Sequence, residues 1–153
     1  MDKKKKIALV AHDNRKKDLV EWVQFNADKL ISHTLICTGT TGKLVEETLI
    51  KKLDLSKIDV VKLKSGPLGG DQQLGALIAE GKIDVMIFLW DPMEAQPHDV
   101  DVKALLRIGA VYNIPMACNR STADFMISSD LFEEKYDPIL KDYSVYLKRN
   151  VTV

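Results

Sequence analysis

The residues of this chain that could move protons or hold an ion stand directly after short apolar runs. His12-Asp13 follows IALVA at Ile7–Ala11, and Thr38-Gly39-Thr40-Thr41-Gly42 follows LIC at Leu35–Cys37. Lys64-Ser65-Gly66-Pro67-Leu68-Gly69-Gly70-Asp71 follows VVKL at Val60–Leu63. Asp91 and then Pro97-His98-Asp99 come after VMIFLW at Val85–Trp90, and Asn119-Arg120-Ser121-Thr122 after MAC at Met116–Cys118.

Each cluster has a chemistry it could serve. In Thr38–Gly42 two glycines let backbone N–H groups turn toward a ligand, three hydroxyls add donors, and a following helix start favours an anion. That composition suits a phosphate cradle, although it lacks the spacing and the lysine of a P-loop. A turn with a threonine cap is the structural alternative. The glycines of Ser65–Asp71 permit positive φ and close backbone approach, as in an anion nest. Asp71 then opens a helix expected over Gln72–Glu80, where cap and catalytic carboxylate fit equally well. As a base it would be kept ionised, and weakened, by the helix dipole. It would then need a partner that acidifies the substrate proton. His98 can polarise a carbonyl or shuttle a proton near neutral pH; a lone loop histidine can equally be an exposed bystander. Asp99 and Asp101 open the next helix, where acids complement the dipole. Asp91, His98 and Asp101 have no metal-specific spacing, so no metal site is expected. His33 precedes the second run, on the opposite rim, and reads as structural.

The five apolar runs read as strands covered on both faces. Helices are expected between them at about Lys17–Leu30, Lys43–Leu53, Gln72–Glu80 and Asp101–Asn113. The first shows a one-sided stripe of Leu19, Val20, Val23, Ala27 and Leu30, and Pro115 closes the fourth. Shorter helices fit Thr122–Ile127 and Tyr143–Arg149. This alternation defines an α/β class, a three-layer α/β/α sandwich around a five-stranded, mainly parallel, flavodoxin-like sheet whose strand order stays open. Ligands of such sheets bind beyond the carboxyl ends of the strands, the rim that collects nearly every cluster above. A receiver would need an aspartate after strand three and a lysine after strand five. A flavodoxin would hold phosphate after strand one, and a dinucleotide site would need G-x-G-x-x-G there. None of these patterns is met.

With 153 residues the chain fits one domain over 1–153, residues 1–6 forming a flexible basic arm. Twenty-two basic side chains balance 22 acidic ones, which argues against a nucleic-acid or anionic-membrane surface. The longest apolar run is six residues, far short of the roughly 20 that span a bilayer, and no signal-peptide core follows Lys3–Lys6. Cys37 and Cys118 have no metal-type spacing and read as small buried side chains of a reduced, cytoplasmic protein.

The runs Ala8–Asp13 (ALVAHD), Thr38–Gly42 (TGTTG), Ser65–Gln73 (SGPLGGDQQ) and Pro97–Val102 (PHDVDV) closely resemble methylglyoxal synthase, in order and spacing. So do Gly75–Ile78 and Ile87–Pro92, and the likeness spans about Ile7 to Asp124. The resemblance implies conversion of dihydroxyacetone phosphate to methylglyoxal and inorganic phosphate without metal or organic cofactor. It makes Asp71 the proton-abstracting base, His98 a contact to the substrate oxygens and Asp101 a second acidic participant. It places phosphate on Lys16, Thr38, Gly39, Thr40, Thr41, Ser65 and Gly66, and adds His12 to the substrate-binding set. It also implies a homohexamer inhibited by phosphate. The family often ends on a basic residue tied to that response; here the tail reads Lys148-Arg149-Asn150, which leaves its register open by one residue. The competing class is a ligand-sensing module, since related domains serve that role in carbamoyl-phosphate synthetases without catalysis.

Overall fold

Alternate residues of a strand face opposite sides of a sheet, so an apolar run with no polar interruption needs cover on both. The computed structural model describes residues 1–95 and 97–148, apart from the side chain of Leu147, and shows that cover. Strands β1 (Lys6–Ala11), β2 (Thr34–Thr38), β3 (Val60–Leu63), β4 (Val85–Leu89) and β5 (Met116–Ala117) form one sheet in the order β3-β2-β1-β4-β5. All four pairings are parallel. Ile7, Leu9, Leu35, Cys37, Val85 and Ile87 face one layer; Ala8, Val10, Ile36, Met86 and Phe88 face the other.

The strand order, open in the sequence, follows from handedness. The main helices are α1 (Lys16–Phe25), α3 (Gly39–Leu53), α4 (Gly70–Ala79), α5 (Asp99–Val111) and α6 (Arg120–Ser128). Short helices α2 (Ala27–Leu30), α7 (Asp130–Glu133) and α8 (Ser144–Leu147) complete the set among the described residues. From β1 to β3 the chain steps outward, with Leu19, Val23, Val45 and Leu49 of α1 and α3 packed on one face. After β3 it returns past β1 to β4, and Leu74, Ile78, Val102 and Leu105 of α4 and α5 pack on the other. A right-handed crossover that reverses its direction along the sheet must also change face. The reversal leaves a crevice between the carboxyl ends of β1 and β4, the switch point where such sheets take ligands.

Three expectations are corrected. The arm 1–6 is docked: Lys6 begins β1, Lys5 is 1% exposed, and its ammonium is held by the carbonyls of Asp2 and Glu134. A lysine can be buried this way because its stem is apolar and two of its three donors meet carbonyls. The first helix breaks at Asn26, whose Nδ2 donates to the Trp22 carbonyl at 2.9 Å and competes with the helical ladder. The second strand-end run is no loop beyond Thr38, since Gly39–Gly42 are already the first turn of α3. The terminal helix is described only over Ser144–Leu147; Arg149 and Asn150 lie outside the described residues.

Candidate active site

A cavity of about 280 Å³ opens over the carboxyl ends of the strands. One wall is the start of α3. Gly39 has φ +44°, and its N–H donates to the Lys64 carbonyl at 3.0 Å. Thr38, in the cap position, makes no side-chain cap bond, so the first-turn amides after Gly39 lack intrahelical and capping partners among the described residues. Thr38 and Thr41 are buried beside them. Lys16, from the start of α1, binds both Thr40 Oγ1 and Asp13 Oδ1. The result is a cup of amides, hydroxyls and one ammonium, suited to an anion.

The opposite wall holds the titratable groups. Asp71 lies inside the first turn of α4, not at its cap, which is Gly69 at φ +97°. That excludes the cap role and aims the carboxylate into the cavity it lines. Asp71 Oδ2 is buried without a hydrogen-bond partner among the described residues and lies 3.6 Å from His98 Nε2. That separation is too long for a hydrogen bond, so both atoms remain available to a third group. A β-carbon on Gly66 would stand 2.8 Å from His98 Nε2 and 3.1 Å from Asp71 Oδ2, so a larger residue there would crowd both side chains.

Burial pushes the Asp71 carboxyl above the usual aspartate range, with Asp101 adding to the rise and His98 opposing it. The expected weakening by the helix start is therefore outweighed by desolvation, which disfavours the charged form. His12 moves the other way: burial, then the neighbouring His98, holds it below the usual histidine value. Its Nδ1 accepts the Asp91 N–H at 3.3 Å. In the neutral ring the proton must then sit on Nε2, an atom buried without a partner among the described residues. His12 thus presents an unused donor at the cavity, its ring edge-on to His98 and Phe88.

The fold gathers His12, Lys16, Thr38, Gly39, Thr40, Thr41, Ser65, Gly66, Asp71 and His98 around this one cavity. Asp101 is not among its lining residues. It borders a separate groove of about 220 Å³ between α4 and α5, with Asp71 as the shared wall. Phe88 also lines the cavity, as does Asp13, which the sequence marks as part of the His12-Asp13 run without giving it a site role. Asp13 could have been found from its place beside His12, three residues before Lys16 on a helix start; nothing in the sequence separates Phe88 from the core. Burial pushes the Cys37 thiol up to about 12, so that side chain stays a thiol. Among the described residues no cluster of His, Cys, Asp and Glu is arranged to hold a metal, and no helix is long and apolar enough to cross a membrane.

The fold and the cavity define a three-layer α/β protein with its ligand crevice at the carboxyl rim of a parallel sheet. Residues 18–118 match the MGS-like domain, and the chain belongs to that family. It is 56% identical to the methylglyoxal synthase of Leptospira interrogans serovar copenhageni, over 95% of this chain and 94% of that one. Identity to the methylglyoxal synthase of Maridesulfovibrio salexigens is 55%, over 99% and 100% of the two chains. The crystal structure of methylglyoxal synthase from Elizabethkingia anophelis NUHP1 superposes with a TM-score of 0.88 at 55% identity, covering 99% of this chain and 95% of that one.

Proposed function

We propose that this chain is a carbon–oxygen lyase that converts dihydroxyacetone phosphate to methylglyoxal and inorganic phosphate. The observation that carries the mechanism is the unpartnered Oδ2 of Asp71, which faces the cavity that the start of α3 lines on its other side. With the phosphate in the cup, the three-carbon body extends toward Asp71 and His98. Asp71 takes a carbon-bound proton, and the electrons of that C–H bond form the enediolate. His98 and the Nε2–H of His12 are donors for the developing oxyanion; such donors are worth about 3–4 kcal/mol each when aimed at new charge. Collapse of the enediolate breaks the C–O bond to phosphate, and the enol left behind ketonises to methylglyoxal. Lys16 and the α3 amides hold the departing dianion. Elimination requires the C–O bond to stand out of the enediolate plane, so the cup sets the outcome through orientation. Asp101 acts through charge, as a neighbour that keeps Asp71 basic, from outside the cup.

Inorganic phosphate, the product, fits the same cup and inhibits by competition. Assembly as a homohexamer is supported by the exposed apolar side chains Phe25, Met93 and Phe125, and light scattering tests it. Activity in the cytoplasm accords with Cys37 and Cys118 both being free.

Incubation with dihydroxyacetone phosphate should release methylglyoxal and phosphate in equal amounts. Binding without turnover would assign the chain to the ligand-sensing class instead. Triose isomerisation as the main outcome would overturn the orientation argument.

A further inference from the structure

The peptide of Lys64, just past β3, is the point where the two walls of the cavity meet. Its carbonyl accepts the Gly39 N–H at 3.0 Å, which ties it to the anion cup. The same oxygen lies against Gly70, where a β-carbon would stand 2.1 Å away, so it also abuts the helix that carries Asp71. Its N–H donates to Gln73 Oε1 at 2.8 Å. Ser65 is wedged on the cup side as well, 2.8 Å from where a Gly39 β-carbon would be. Two helix starts thus close on one extended dipeptide, each through a glycine, and Gln73 is the side chain that binds it from the base side. Ser65 O, accepting from Leu68 and Gly70, closes the intervening turn on itself. That turn is tied together by its own bonds, and its entry is set by the Lys64 peptide.

We infer that Gln73 is a positioning residue for proton transfer: by gripping the Lys64 peptide it sets the distance between the Asp71 carboxylate and the phosphate cup. The inference rests on the reading of Asp71 as base and the α3 start as phosphate site. Gln73 is exposed and does not line the cavity, so its effect should fall on turnover rather than on binding. Misplacing a reacting group by about an ångström can cost around a hundredfold in rate, and partial loosening a fraction of that.

The test compares Gln73→Met, similar in shape but without an acceptor, with Gln73→Glu, which keeps one. Turnover of dihydroxyacetone phosphate, inhibition by inorganic phosphate and thermal unfolding are measured on each, with Asp71→Asn alongside. Gln73→Met should lower kcat about tenfold or more, while KM and the phosphate inhibition constant stay within about twofold of the parent. Gln73→Glu should keep kcat within about threefold. A Gln73→Met enzyme that melts earlier yet keeps its kcat would overturn the inference and leave Gln73 a purely structural residue. A tenfold loss in Gln73→Glu would overturn it too, and that arm stands even if the methionine variant does not fold. Should Asp71→Asn turn over at the parent rate, the base assignment itself has failed; should that variant be dead and Gln73→Met unimpaired, the positioning role alone has failed.

Discussion

The two rims of the sheet bury similar side chains to opposite ends. At the amino rim Lys5 is buried with its ammonium on two carbonyls, its own N–H donates to His33 Nδ1 at 3.1 Å, and the Lys6 N–H donates to Asp84 Oδ2 at 2.8 Å. At the carboxyl rim His12 Nε2, Asp71 Oδ2 and His98 Nδ1 are buried with no partner among the described residues. Among the described residues His33 Nε2 is the amino rim's one atom of that kind, with the ring edge-on to Phe132. A buried polar atom left unmatched costs roughly 1–3 kcal/mol, so three of them on residues that line one cavity point to a role that stability does not supply. The amino rim is built to hold and the carboxyl rim to bind.

The contrast predicts that changes at the carboxyl rim cost rate, and those at the amino rim cost stability. Asp71→Asn should have the largest effect, a loss of at least about 10²–10⁴-fold in kcat, the usual range for a missing general base. Phosphate should still bind, as calorimetry can check. The same substitution should raise the melting midpoint at pH 7. The folded-state pKa lies above the unfolded one, so the native state binds the proton more tightly. Stability of the parent therefore falls as pH rises from the ordinary aspartate range through the raised value, and the variant escapes that loss. Its advantage should vanish as pH drops below the unfolded pKa. An unchanged difference across that window would mean Asp71 is not buried as a charge.

Gly66→Ala comes next, at about a hundredfold in kcat/KM, because its methyl group would force His98 and Asp71 apart. His12→Gln should lose about tenfold, less than the roughly 3–4 kcal/mol of a deleted oxyanion donor, because the glutamine amide keeps an N–H near that place; in the parent, nitrogen NMR should find the His12 proton on Nε2. The smallest effect on rate is expected at the amino rim. Lys5→Met should leave kcat untouched while lowering unfolding free energy in urea by about 1–3 kcal/mol, since two carbonyls lose their donor. A large fall in turnover there would break the contrast between the rims.

The strands and the rim they feed were legible because uninterrupted apolar runs and their polar sequels are local signals. What was not legible depends on three-dimensional context. Strand order follows from the face that each crossover covers, a choice invisible in IALVA or VMIFLW. Gly39–Gly42 read as a loop because glycine and threonine are poor helix formers, yet the bond from Gly39 to Lys64 starts the helix there. Asp71 read as ionised and weak from its place on a helix, since position along the chain does not report desolvation. The lysine run read as a solvated arm, although Lys5 fills a niche made by Glu134 from the far end of the sequence. A catalytic part for Asp101 came with the resemblance, and only the packing of α5 against α4 shows it bordering a groove that Asp71 shares.

The reversal of the chain at β3 has a mechanical consequence. Because α3 lies on one layer and α4 on the other, anything gripped between Thr40 and Asp71 laces the two layers to each other across the sheet edge. A non-reacting three-carbon phosphate ester that reaches from the cup to Asp71 should therefore, at saturation, slow protease attack on both layers together, as if the cavity's occupant were a removable rivet.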